Sequence, residues 1–204
     1  MTQPLTYFKE SPSQTAGPYV HIGCTPNFSG LSGVFPKDLG SEMVSKSTEG
    51  QRIIIRGCVF DGTGTPIKDA LVEIWQADAK GLYNSPSETR GAADPNFTGW
   101  GRCPSDMETG EFVFNTIKPG SVPFKDGRPM APHVTFWVVA RGINLGLHTR
   151  MYFPDEETAN AADPILTRIE HKHRVPTLIG KKVGDEYRFD IHLQGDNETV
   201  FFDI

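Results

Sequence analysis

Strict two-residue alternation in short segments is the feature that most restricts this chain. Glu186–Leu193 reads EYRFDIHL, with Tyr187, Phe189, Ile191 and Leu193 on one side and Arg188, Asp190 and His192 on the other. Successive side chains of a strand point to opposite faces, so such a segment buries one face and wets the other. Glu111–Ile117 repeats the pattern with Phe112 and Phe114, and Ala70–Gln76 does so in ALVEIWQ. Arg52–Phe60 is short and β-branched and runs into the turn Asp61-Gly62-Thr63-Gly64. His133–Arg141 and Leu147–Phe153 flank a Gly-Ile-Asn-Leu-Gly connection, the mark of a hairpin. Thr199–Phe202 closes the set. Several short strands between turn residues predict an all-β chain, a β-sandwich.

Two stretches depart from this rule. Residues 1–50 carry Pro4, Pro12, Pro18, Pro26 and Pro36 with many glycines, and read as an extended N-terminal arm before a sandwich core over 51–204. Asp155–Ala162 opens acidic, and Pro164–His171 has apolar residues at 165, 166 and 169, a helical spacing. They predict a short helical insertion beside the sandwich. The 204 residues fit one domain, with no internal repeat.

Composition narrows function. A net charge of −5 removes the overall basic footprint of a nucleic-acid binder. No run approaches the ~20 apolar residues of a membrane helix. Cys24, Cys58 and Cys103 are dispersed, without C-x-x-C, which points away from a disulfide framework or zinc site and toward a reducing, cytoplasmic setting. No signal-peptide pattern opens the chain. There is no H-E-x-x-H and no G-x-S-x-G. His171 and His173 flank Lys172 and read as solvated, as does His192 on a polar strand face, while His133 opens an apolar strand. Gly17-Pro18 sets a bend that presents Tyr19. Arg141, at the end of an apolar strand, is either a bidentate carboxylate binder or a salt-bridged rim arginine.

A set of ordered motifs resembles the intradiol ring-cleaving dioxygenases. They are SQTAGPYVHI at Ser13–Ile22, VEIWQADAKGLY at Val72–Tyr83, DPNF at Asp94–Phe97, GRC at Gly101–Cys103, TIKPG at Thr116–Gly120 and MAPH at Met130–His133. YRFDI at Tyr187–Ile191 and TVFFD at Thr199–Asp203 extend the resemblance over nearly the whole chain. It implies a prealbumin-like β-sandwich. Metal-holding members bind ferric iron through two tyrosines and two histidines, hard anionic and imidazole donors suited to Fe(III). Carried over by motif, those positions are Tyr83, Val122, His133 and Thr135. Valine has no donor atom and threonine is a poor one, so the resemblance implies a vestigial site.

The pattern is that of the α chain in two-chain members. It implies that Fe(III) is held by a homologous β partner, that the catalytic residues lie there, and that this chain lines the partner's pocket. The positions are Thr15, Gly17, Pro18 and Tyr19 of the arm, and Arg141. The implied substrates are a small aromatic, 3,4-dihydroxybenzoate, and dioxygen. His133 and Arg141 share strand parity and would lie roughly 26 Å apart on a continuous strand, so Arg141 cannot serve a substrate held at His133 of its own chain. The alternative is a non-enzymatic scaffold. Ile55-Arg-Gly-x-Val59 and Gly64-x-Pro-Ile-x-x-Ala70-x-Val72 also resemble generic prealbumin-like binding modules.

Overall fold

The computed structural model describes residues 15–17, 19–144 and 146–203. Two sheets face each other. In the first, β1 (Arg52–Phe60) pairs antiparallel with β4 (Glu111–Ile117) and parallel with both β10 (Glu186–Arg188) and β11 (Ile191–His192). β9 (Lys181–Val183) adds an outer strand against β10. The second sheet runs β3 (Trp100–Pro104), β2 (Leu71–Trp75), β7 (His133–Val139), β8 (Leu147–Tyr152), all antiparallel. A small ribbon joins β5 (Val122–Pro123) to β6 (Pro129–Met130).

The alternation decides which residues meet between the sheets. Ile53, Ile55, Val59, Phe112, Phe114, Tyr187, Phe189 and Ile191 of the first sheet pack against Val72, Ile74, Val134, Phe136, Val138 and Met151 of the second. Phe136 anchors this core, with ring centroids 5.9 Å from Phe112 and 5.1 Å from Phe189. The opposite parity of the second sheet, His133, Thr135 and Trp137 on β7, is thereby turned away from the core.

The sandwich, the hairpin of β7 and β8, and β4 match the sequence expectation. Three elements differ. Glu186–Leu193 is not one strand but β10 and β11, broken at Phe189-Asp190. At the break, Phe189 N–H donates to the Arg56 carbonyl at 2.8 Å, and the Asp190 carboxylate accepts the Cys58 N–H at 3.1 Å. A side chain thus completes the ladder where the backbone leaves it. Thr199–Phe202 is not a strand. It straps both sheets, Thr199 N–H donating to His192 and Phe202 N–H to His148, at 2.9 and 2.8 Å. Pro164–His171 forms no α-helix. α2 (Glu157–Ala162) stops at Asp163, whose carboxylate then takes the N–H groups of Ile165 and Leu166, leaving a 3-10 turn at Leu166–Arg168.

The N-terminal segment is more than an arm. It holds a short helix, α1 (Val20–Cys24), and inserts Met43 into the core. Its Gly40 carbonyl accepts the Arg102 N–H at 2.9 Å, so it covers the free edge of β3.

Candidate functional site

Two groups of residues singled out by the sequence lie at opposite ends of β7. The first is built on the outward face of the second sheet. Thr135 sits between Trp75 of β2 and Arg150 of β8. Tyr83 follows β2 in a loop and stacks on Trp75, centroids 5.8 Å apart and ring planes nearly parallel at 3°. That loop is organised by Asp78, a buried carboxylate that accepts the N–H groups of Lys80, Leu82 and Asp94 at 2.9 Å each. His133 starts β7, buried, with Nδ1 2.8 Å from the Ala131 carbonyl; the carbonyl can only accept, so Nδ1 carries the proton. Ala131 is itself pinned by the fully buried Asp163, which accepts its N–H at 2.8 Å. Val122 is buried beside Ala77 and Met130, with Tyr83 and Phe124 against them. Tyr83, Trp75, Val122 and Met130 border a cleft of about 350 Å³.

The electrostatics of this end are set by burial and by one arginine. Burial pushes the His133 imidazolium down to about 4, and the positive charge of Arg150 adds to that. Burial pushes the Tyr83 phenol up, opposed by Arg150 and Arg90. Arg150 places Nη1 3.6 Å from Met130 Sδ and its guanidinium 5.8 Å from the Phe202 ring centre. A fixed cation therefore stands among Tyr83, His133 and Thr135. Nothing in the motif spacing marked Arg150; it becomes significant only through its register opposite Thr135.

The second group lies past the other end of β7. Thr15 Oγ1 accepts the Gly142 N–H at 2.8 Å and donates to the Ala140 carbonyl at 3.3 Å, clasping the backbone on either side of Arg141. Residues 125 and 127 apart are thus brought together by one hydroxyl. Arg141 Nη2 meets Asp69 Oδ2 at 3.2 Å, so of the two readings of this arginine the salt-bridged rim residue describes the lone chain. Gly17 accepts the Val20 N–H at 3.2 Å, opening α1, and Tyr19 is 76% exposed just before that helix. Pro18 lies outside the described residues. Asp69 was missed in the sequence, where it reads as one more polar residue before a strand.

Among the described residues, no three His, Cys, Asp or Glu side chains gather as a metal cluster, and no helix is long and apolar enough to cross a membrane. Cys24, Cys58 and Cys103 are free thiols.

Comparison with known proteins agrees with this architecture. The family model described as Dioxygenase matches residues 25–195. The protocatechuate 3,4-dioxygenase alpha chain of Pseudomonas putida is 42% identical over 98% of this chain and 100% of its own length. The protocatechuate 3,4-dioxygenase beta chain of Burkholderia cepacia is 37% identical over 74% of this chain and 67% of its own. Among solved structures, the dioxygenase domain of a carbohydrate-binding fusion protein from Streptomyces sp. SirexAA-E superposes with a TM-score of 0.57 at 25% identity, covering 83% of this chain and 95% of that one. With a family model over most of its length and an alpha-chain relative matched end to end, this chain belongs to the intradiol dioxygenase family.

Proposed function

We propose that this chain is the α chain of a two-chain protocatechuate 3,4-dioxygenase, and that it walls an active site whose ferric iron sits on the β chain. The assembled enzyme opens 3,4-dihydroxybenzoate between its hydroxyls with dioxygen, giving 3-carboxy-cis,cis-muconate. The observation that carries the reading is the state of the four ligand positions. Val122 offers an isopropyl group to an apolar cluster, Thr135 has only a neutral hydroxyl and stands opposite Arg150, and Tyr83 and His133 alone keep strong donors. A trivalent cation beside a fixed guanidinium would be repelled, and one phenolate cannot neutralise it. The donor set does not fit ferric ion.

The other end of β7 has what a shared pocket needs. Arg141 keeps 65% of its side chain exposed, and Tyr19 projects from the arm. Arginine's planar fork matches a carboxylate. In the complex, Arg141 holds the carboxylate of the substrate or product, Thr15 fixes the loop that carries it, and Gly17, Pro18 and Tyr19 shape the wall. The three free thiols fit a cytoplasmic setting.

The test is reconstitution. The isolated chain is expected to be colourless and inactive. Mixing it with the homologous β chain and iron should produce the tyrosinate-to-iron absorption together with ring cleavage. Stoichiometric iron and turnover in the isolated chain would overturn the reading. A scaffold would give a complex whose activity is indifferent to Arg141.

A further inference from the structure

We propose that Asp69 is the positioning residue for Arg141, an internal counter-ion that presets the guanidinium before an anionic ligand arrives. The inference deepens the role given to Arg141 above and rests on it. Its basis is the register of the second sheet. β2 and β7 end with Leu71 paired to Val139, and Asp69 and Arg141 each lie two residues beyond those ends, in turns on the same side of the sheet. The side chains meet there, Nη2 to Oδ2 at 3.2 Å.

The pair is asymmetric. The Asp69 side chain is 11% exposed and that of Arg141 is 65% exposed. The carboxylate is set in the wall, and the arginine leans out from it. Nη2 of the guanidinium meets Asp69, and the group has further N–H donors on its other two nitrogens. The Arg141 backbone is held as well, because Thr15 clasps the residues before and after it. An ion pair this exposed adds little to folding. Its effect lies in orientation: a long side chain already confined loses less freedom when it takes a ligand carboxylate.

A residue that acts only through Arg141 has a signature that mere structural damage lacks. In the assembled α–β enzyme, Asp69→Ala should raise KM for 3,4-dihydroxybenzoate about fivefold, with kcat within about twofold. KM for plain catechol, which has no carboxylate, should stay within about twofold. Arg141→Ala should raise the first KM about tenfold and spare the second, and Asp69→Ala should add nothing further in that background. If Asp69→Ala prevents assembly, Asp69→Asn takes its place with the same expectations and a smaller effect, since an amide oxygen still accepts one hydrogen bond. An unchanged KM, an equal rise for both substrates, or an effect that persists without Arg141 would each overturn the proposal. Should Arg141→Ala itself leave the carboxylate preference unmoved, the role of Arg141 falls, and this inference with it.

Discussion

His133 shows how burial and one neighbouring charge set the state of a side chain. Burial and Arg150 hold its pKa at about 4 from an ordinary 6.5, outweighing the Ala131 carbonyl and Asp163 that favour the charged form. The folded chain therefore keeps a neutral imidazole at pH values where the unfolded chain takes a proton. Stability should fall as pH drops from about 6.5 to about 4 and then lose this dependence, by about 3 kcal/mol in all. Urea unfolding at stepped pH on wild type and His133→Gln would show it; the variant should lack that part of the slope. An identical slope in both would mean that His133 is not the buried neutral group.

At the scale of elements, β1 is the strand on which the first sheet depends, and Gly57 is its tightest point. The break between β10 and β11 puts the Phe189 carbonyl oxygen 1.8 Å from where a Cβ on residue 57 would stand, and Phe112 Cζ 2.9 Å from it. Neither a backbone carbonyl nor a core ring can yield that distance cheaply. Gly57→Ala should cost at least about 3 kcal/mol of stability, read as a shift in denaturation midpoint. A loss under about 1 kcal/mol would show that β10 and β11 are free to move off β1. The same break is hidden in the sequence, where Glu186–Leu193 reads as one strand. Its alternation is genuine on both sides, and Phe189 and Ile191 are buried as expected, but pairing cannot be seen in hydropathy.

At the scale of the molecule, the His133 end of β7 is a convergence of three parts: the loop of Tyr83, the ribbon of Val122 and Met130, and the hairpin that brings Arg150 opposite Thr135. Placing donors at these positions with Val122→Tyr and Thr135→His in the isolated chain should still leave iron well below one per chain. The Arg150 guanidinium occupies the electrostatics that a metal would need. Adding Arg150→Gln should raise the iron content several-fold, measured by metal analysis after dialysis. Full loading by the double variant alone would show that Arg150 is no obstacle.

Much of this was legible in the chain of letters. Alternation determined the sandwich and most of the buried set, because strand parity is a local property. The motifs determined the family, and they place Val122, which has no donor atom, and Thr135, which has only a neutral hydroxyl, at two of the four ligand positions that the resemblance implies. Three things were not: Asp69 against Arg141, Thr15 clasping Ala140 and Gly142, and Arg150 opposite Thr135. Each depends on which strand lies beside which and in what register. Only closing the sheets settles that, since the hydrogen-bonded ladder, not the order of residues, decides which distant side chains stand face to face.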